Sequence, residues 1–88
     1  MIEKTMIIKN KMGLHARPAA LFVEVASRYC SNVWISKDGV EVDGKSIMGI
    51  LMLAAESGHE VVLKADGKDE VDAIDELEDL LEGKFNEE

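Results

Sequence analysis

The sequence predicts an α+β fold, an open-faced two-layer sandwich in which a four-stranded antiparallel sheet carries three helices on one face. Three observations predict it. Residues on both sides of Asp38-Gly39 alternate between apolar and polar, which is typical of a β-hairpin. Apolar residues recur at helical spacing after Gly13 and again after Asp69. Apolar, β-branched runs around Ile7 and Val61 add two more strands, giving the order β-α-β-β-α-β-α with one shared core.

The first strand and the first helix come from the N-terminal third of the chain. Lys4 to Lys9 is a short apolar run with charged ends, which predicts a strand. A helix then begins near His15, with Pro18 in its first turn, where a missing N–H costs nothing. Its apolar face repeats at three- and four-residue spacing and consists of Leu21, Phe22, Val25, Ala26 and Tyr29.

The middle of the chain predicts the hairpin, a short helix and a fourth strand. The hairpin strands are Val33 to Lys37 and Val40 to Asp43. Ser46 directly precedes a short apolar helix, Ile47 to Leu53, and its hydroxyl is a suitable cap for the first N–H groups. Glu60 to Ala65 returns to strand chemistry. The order of the four strands in the sheet stays open.

The last helix follows Asp69, which we expect to be its N-cap. Its predicted apolar stripe contains Val71, Ile74, either Leu77 or Glu78, and Leu81, with Leu80 beside it. We expect Cys30, near the end of the first helix, to be a packed thiol, because no base lies beside it in the sequence.

The composition narrows the function classes. With 88 residues we expect a single domain spanning residues 1–88. Eighteen acidic and ten basic residues give a net charge of −8, which argues against nucleic acid or a membrane surface as partner. The longest apolar stretch, Ile50 to Ala55, is too short to cross a bilayer. A single cysteine makes no internal disulfide, so we expect a reduced, cytoplasmic setting.

No metal or cofactor site is expected, because the two histidines, His15 and His59, are far apart in the sequence and only one cysteine accompanies them. The initial Met1 and the polar Glu87-Glu88 end indicate a free-standing chain, which we expect to be a monomer.

The negative charge is concentrated at the C-terminal end. Residues 66–88 hold 11 acidic and two basic side chains, a net of −9, whereas residues 1–65 have a net charge of +1. Most of these acids belong to the last helix. We therefore expect a locally positive surface around His15, to which the sequence contributes Lys9, Lys11, Arg17 and Lys45.

The segment around His15 carries the chemistry. Gly13 permits an unusual turn, and His15 stands where the chain enters a helix, a place that favours anions. The positive helix end and Arg17 should disfavour the imidazolium form and leave a nucleophilic imidazole. The N–H groups of Ala16 and Arg17 would then donate to a phosphoryl group on His15. The alternative from the residues alone is that His15 merely caps the helix.

Two motifs resemble the HPr family, the histidine-containing phosphocarrier proteins of the bacterial phosphoenolpyruvate-dependent sugar phosphotransferase system. The first is Gly13-Leu14-His15-Ala16-Arg17-Pro18-Ala19-Ala20. The second, at the separation typical of the family, is Lys45-Ser46-Ile47-Met48-Gly49-Ile50-Leu51-Met52-Leu53. The resemblance extends over nearly the whole chain, and it implies the same element order that the pattern predicts.

The resemblance implies a carrier of phosphoryl groups. His15 would accept a phosphoryl group on Nδ1 from enzyme I and pass it to sugar-specific enzyme IIA components, with Arg17 stabilising it. Such a protein is a covalent intermediate with no small-molecule substrate of its own, so whether it counts as an enzyme stays open. The family's docking surface corresponds to Ala20, Ile47, Met48 and Leu51 here. The alternative is that these four belong to the ordinary core.

Ser46 corresponds to the family's regulatory serine, which HPr kinase/phosphorylase modifies in many bacteria. Phospho-Ser46 would alter partner exchange, and a catabolite-control transcription factor is a possible partner; alternatively, Ser46 only caps its helix. Two alternative hypotheses for the function of the protein are a purely regulatory binding module that acts through phospho-Ser46 and transfers nothing, and a carrier of the nitrogen-linked phosphotransferase branch. Met12 departs from the family, which often has a small hydroxyl residue there.

Overall fold

A computed structural model describes residues 1–86 and contains the seven predicted elements in the predicted order. The strands are β1 (Ile2–Ile7), β2 (Asn32–Lys37), β3 (Val40–Asp43) and β4 (Glu60–Asp66), and the helices are α1 (Ala16–Ala26), α2 (Ile47–Leu53) and α3 (Glu70–Glu82). A short 3₁₀ turn follows at Lys84–Asn86. The Glu87-Glu88 end lies outside the described residues. Within residues 1–86, no helix has the length and apolar character needed to span a bilayer.

The four strands form one antiparallel sheet in the order β1-β4-β2-β3, which settles the point that the sequence left open. Strand β4 is central: its Ala65 lies opposite Ile2 of β1 on one side and Val33 of β2 on the other. The β2–β3 hairpin turns at Asp38 and Gly39, whose φ angles of 52° and 84° are the positive pair that a two-residue type I′ turn requires. The predicted hairpin and its turn are confirmed.

The core lies between the sheet and the helices. Alternate residues of each strand face the helices, and the largest fully buried side chains include Phe22, Phe85, Ile8, Ile35, Ile50, Leu63, Leu77 and Leu81. Phe85, which no sequence pattern assigned to the core, lies beyond α3 and is 1% exposed. On the opposite face of the sheet, the Lys64 ammonium lies 2.8 Å from the Glu41 carboxylate and 3.8 Å from that of Glu3. The face without helices is therefore charged.

The predicted bounds of β1 and the predicted apolar stripe of α3 differ from the structure. Strand β1 begins and ends two residues earlier than the predicted Lys4 to Lys9. Ile8 is buried and lies just beyond the end of β1. Its N–H donates to the His59 carbonyl (2.9 Å), and its own carbonyl accepts from the Gly58 N–H (2.8 Å), so Ile8 is bound to the turn before β4. In α3, Val71 was wrongly assigned to the apolar stripe: it is 55% exposed, and Ala73 is buried instead.

Asp69 occupies the N-cap position of α3, but its carboxylate makes no capping bond. It accepts instead from the Ser31 hydroxyl and from the N–H groups of Cys30 (2.8 Å) and Ser31 (2.9 Å). These hydrogen bonds, that of the Ser31 hydroxyl foremost, lower the pKa of Asp69. Asp69 is therefore the N-cap residue of α3, as predicted, but its carboxylate serves a different contact. The packed-thiol prediction is wrong, because Cys30 is exposed.

Candidate functional site

His15 is the N-cap residue of α1. Its backbone is extended (φ −80°, ψ −170°), its carbonyl accepts from the Ala19 N–H (3.0 Å), and its half-buried side chain makes no capping bond. Among residues 1–86, the N–H groups of Ala16 and Arg17 donate to no protein acceptor, and Pro18 has no N–H to offer. The entrance to α1 therefore presents two unused donors directly after the imidazole.

The loop before His15 has one conformation imposed by close packing. The buried Asn10 donates its side-chain amide to the Gly13 carbonyl (2.6 Å), and the Gly13 N–H donates to the Asn10 carbonyl (3.1 Å). Gly13 has φ +71°, and a Cβ there would lie 2.5 Å from the Ala55 carbonyl oxygen. Only glycine fits. The motif predicts the special backbone of Gly13. It does not predict that the Asn10 side chain is buried and supports this loop, because asparagine is also common in exposed turns.

The segment after α2 holds this loop in place. Ala54 ends α2 in the left-handed conformation (φ 50°, ψ 40°), and the next carbonyl, that of Ala55, accepts from the Leu14 N–H (2.8 Å). Further along, the Glu56 N–H donates to Nδ1 of His59 (2.8 Å), which closes a turn beside the end of β1. His15 is therefore positioned by two parts of the chain that are about 40 residues apart.

The cations predicted around His15 do not all face it. Lys9 Nζ lies 2.6 Å from the Glu82 carboxylate of α3, so its charge is paired. Lys45 Nζ donates to the Tyr29 carbonyl (2.9 Å), beyond the far end of α1, a helix about 16 Å long. The expectation that Lys45 adds positive charge around His15 is therefore wrong, and the ion pair with Glu82 reduces the positive charge that Lys9 can add there. Lys11 and Arg17 stay exposed in the motif segment.

The far end of α1 is fixed to α3 by ionic and hydrogen-bonded contacts. Arg28 Nη1 lies 2.6 Å from the Glu76 carboxylate, and the Tyr29 hydroxyl donates to the same carboxylate. This hydrogen bond raises the pKa of Tyr29 to about 12. The two ends of α1 thus differ in their contacts. The residues after its C-terminal end bind Glu76 of α3, whereas the first N–H groups after His15 have no protein acceptor among residues 1–86.

The entrance to α2 is capped as predicted. Ser46 Oγ accepts from the Gly49 N–H (3.0 Å), and the Ser46 carbonyl accepts from the Ile50 N–H (3.1 Å). Ser46 is half-buried and has an extended backbone (φ −119°, ψ 112°). The Ser46 side chain therefore already acts as the N-cap of α2.

The four residues of the predicted docking surface differ in exposure. Met48 is 69% exposed and Ile47 is 42% exposed, and Ala20 of α1 is exposed as well. Leu51 is half-buried and packs against the core. The alternative that all four are core is therefore wrong for three of them, and Leu51 belongs to both surface and core.

Two other exposed methionines, which were not predicted as part of this surface, lie in the loop before His15 and on α2. Met12 is 70% exposed in the loop before His15, and Met52 is 78% exposed on α2. Met52 follows Met48 by four residues, which places both on one helix face. The four-residue spacing is the sequence signal from which the shared face of Met48 and Met52 could have been predicted.

Comparisons with known proteins agree with this architecture. Residues 2–83 match the family model described as the PTS HPr component phosphorylation site. The chain is 46% identical over 87 residues to the phosphocarrier protein HPr of Neisseria meningitidis serogroup A, covering 99% of this chain and 98% of the relative. It is 48% identical over 77 residues to the HPr-like protein Crh of Bacillus subtilis, covering 88% and 91%. The crystal structure of HPr-C-His from Thermoanaerobacter tengcongensis superposes with a TM-score of 0.97 at 56% identity, covering 100% and 99%.

Proposed function

This chain belongs to the HPr family, and on that premise we propose that His15 is the residue through which it carries the phosphoryl group. The chain is a phosphocarrier of the phosphotransferase system. The observation that supports His15 as the carrier residue is its place at the entrance of α1, followed by two N–H donors that have no acceptor among residues 1–86. As part of the same proposal, residues 1–88 form one HPr-like domain that acts in the cytoplasm.

The proposed reaction is a pair of phosphoryl transfers. The lone pair of His15 Nδ1 attacks the phosphorus held by phospho-enzyme I, the N–P bond forms, and the bond to enzyme I breaks. In the second transfer an enzyme IIA nucleophile attacks the same phosphorus and His15 leaves as imidazole. Because such transfers depend mainly on positioning and on charge stabilisation, a small site is sufficient once a partner protein docks.

The charges and dipoles of α1 suit the phosphorylated state. A phosphoryl group on His15 adds negative charge where the positive end of α1 and the N–H groups of Ala16 and Arg17 lie. The exposed guanidinium of Arg17 is a second donor that can meet the phosphoryl oxygens in a forked geometry. The end of α1 and its N–H groups are in place before the phosphoryl group arrives, so this part of the site requires little reorganisation.

Docking of enzyme I and of enzyme IIA components is assigned to the apolar surface beside His15. Exposed Ala20, Ile47 and Met48 and half-buried Leu51 supply contacts that fit an apolar partner face. Partners that bind one after another at the same surface must each dissociate, which favours a small apolar contact over an extensive one.

The test is phosphorylation by purified enzyme I and phosphoenolpyruvate. We expect one phosphoryl group per chain, labile in acid and stable in alkali, which is lost completely in His15→Ala. His59→Ala is the matched control, because it removes the other histidine and should leave the adduct in place. An adduct that persists in His15→Ala would overturn the assignment.

A second candidate function is regulation through Ser46, and the relative named Crh supports it: a solved structure of that Bacillus subtilis protein is titled catabolite repression HPr. A phosphate on Ser46 would lie beside the exposed apolar surface of α2 and add a charge of about −1.5 to −2 there. We propose that it modulates enzyme I docking and creates contacts for a catabolite-control transcription factor.

The regulatory proposal is tested with HPr kinase/phosphorylase and ATP. The kinase should add one phosphoryl group, absent in Ser46→Ala, and the product should accept phosphoryl groups from enzyme I more slowly than the unmodified chain. Equal rates would remove the regulatory role and leave His15 transfer intact. The identity of the accepting enzyme IIA separates the two carrier hypotheses. Transfer to an enzyme IIA that serves a sugar supports the sugar branch, and transfer to one of the nitrogen-linked branch supports the other.

A further inference from the structure

The methionines of this chain are distributed unusually. Of five, only Met6 is buried, at 5% exposure. Met12, Met48 and Met52 are 70%, 69% and 78% exposed, and Met1 is 70% exposed. Methionine is ordinarily a core residue, so three thioethers open to solvent in the motif region are a feature that needs an explanation.

Three of the exposed methionines belong to α2 and to the loop before His15, two segments that are joined by a hydrogen bond next to the entrance of α1. Met48 and Met52 are four residues apart and share one face of α2. The chain leaving α2 reaches Ala55, whose carbonyl binds the Leu14 N–H (2.8 Å), and Met12 is two residues before that N–H. We name Met12, Met48 and Met52 the methionine patch.

Met1 lies elsewhere. Its ammonium group is 3.3 Å from the Glu70 carboxylate at the start of α3. Strand β1, Ile2–Ile7, separates Met1 from the His15 loop by about 17 Å. Met1 is therefore an equally exposed methionine outside the patch, and Met6 is a protected one.

We propose that the methionine patch is an oxidation site at which a hydroperoxide slows phosphoryl exchange, a role that rests on the proposed docking function of this surface. In each event the thioether sulfur attacks the terminal peroxide oxygen, the O–O bond breaks and an S–O bond forms. The sulfur is oxidised by two electrons to the sulfoxide, and the peroxide leaves as water or an alcohol. A sulfoxide reductase reverses the change with electrons from thiols.

The physical effect of oxidation is on docking and not on His15. A sulfoxide is polar and chiral, so it must lose bound water to enter an apolar interface that the thioether enters without that loss. Three such groups are exposed on α2, which carries most of the proposed docking residues, and in the loop before His15. None of them is in the buried core, so the fold itself should tolerate the change.

The test uses wild-type protein in a Cys30→Ser background, treated with hydrogen peroxide and mapped by peptide mass spectrometry. Cys30 is exposed and would otherwise add its own oxidation. We expect sulfoxides at Met12, Met48, Met52 and Met1, and none at Met6. With enzyme I, kcat/KM for phosphorylation of the oxidised chain should fall by about tenfold or more. Treatment with methionine sulfoxide reductases should restore it.

The matched control is Met12→Leu, Met48→Leu, Met52→Leu in one chain of the same Cys30→Ser background, where exposed Met1 and buried Met6 are the remaining methionines. Each protein is compared with its own untreated form, so any effect of the leucines themselves cancels. The oxidised leucine variant should lose less than twofold. Unchanged transfer by oxidised wild type, or an equal loss in the leucine variant, overturns the proposal. Failure of untreated wild type to be phosphorylated would instead contradict the assignment of His15.

Discussion

The entrances of α1 and α2 are alike in backbone and opposite in use. His15 and Ser46 are both N-cap residues with extended backbones, and each carbonyl accepts the first helical hydrogen bond. Ser46 Oγ also accepts from the Gly49 N–H, as a capping residue ordinarily does. His15 makes no such bond, and the N–H groups that follow it have no protein acceptor among the described residues.

This difference separates stabilising from functional use of the same position. A cap satisfies N–H groups within the protein and adds to its stability. An uncapped entrance gives up that stability and keeps the donors for an anion from outside. Within residues 1–86, one helix entrance is thus capped by the Ser46 side chain, and the other has two N–H groups without a protein acceptor.

The largest expected effect comes from making the two entrances alike. His15→Ser places a capping hydroxyl at α1, so we expect the free energy of unfolding to rise by about 1 kcal/mol while enzyme I-dependent phosphorylation is lost. Urea unfolding and the phosphoryl assay measure the two quantities on one sample. His59→Ser is the control, since it changes the other histidine and should retain transfer. Retained transfer in His15→Ser would show that the entrance does not need the imidazole.

The next effect concerns the guanidinium at the open entrance. Arg17→Ala should reduce kcat for transfer by about a hundredfold, because one positioned donor is removed from the developing charge. Arg28→Ala is the matched control, as its guanidinium is paired with Glu76 at the far end of α1. Rapid-quench phosphorylation by enzyme I measures both variants. Equal rates for the two would remove Arg17 from the reaction.

The loop that keeps α1 open should be sensitive to any side chain at Gly13. Gly13→Ala combines a positive φ with a clash against the Ala55 carbonyl, so we expect a loss of about 3 kcal/mol in unfolding free energy. Gly39→Ala shares the positive φ but meets nothing within 4 Å, and it should lose only about 1 kcal/mol. Equal losses measured by urea unfolding would show that the contact with Ala55 contributes nothing.

At the closed entrance, Ser46→Ala should lower the unfolding free energy by about 1 kcal/mol and leave the rate of His15 phosphorylation unchanged. Thermal and urea unfolding measure the first quantity, and the enzyme I assay measures the second. Ser57→Ala, which changes an exposed turn residue, is the control for losing a hydroxyl. A loss of transfer in Ser46→Ala would contradict the division of roles between the two entrances.

The entrance of α3 gives the smallest effect and a pH dependence. Because hydrogen bonds from Ser31 and Cys30 hold the pKa of Asp69 below its usual value, its stabilisation is complete above that usual value and is lost as the pH falls through the lowered pKa. Asp69→Asn should therefore lower Tm at pH 7 and converge with wild type in acid. Asp75→Asn, on an exposed position of α3, should show no such convergence.

The sequence predicted what depends on local pattern. The Asp38-Gly39 turn and the Ser46 cap follow from residues within four positions, and both are confirmed. The errors arise where distant contacts decide. The bounds of β1 depend on pairing with β4, from Ile2 opposite Ala65 to Ile7 opposite Glu60, which no local pattern encodes.

The site itself was only partly predictable. Its motif named the residues of the α1 entrance, but Lys45 was assigned to the wrong end of α1, because its partner is the Tyr29 carbonyl and that contact spans 16 positions. Asp69 is the predicted N-cap residue of α3, but its carboxylate accepts from Ser31, 38 residues away, and makes no capping bond. Tertiary contacts overrode local preference at both positions.

The contact between Gly13 and Ala55 has a consequence for protein synthesis. His15 leaves the ribosome early, but its loop is held by the segment after α2, and within residues 1–86 β1 pairs only with β4. The site is therefore complete only after the strand that ends at Asp66 has been made and has inserted between β1 and β2. A nascent or truncated chain would contain the histidine without the geometry that makes it a phosphoryl acceptor.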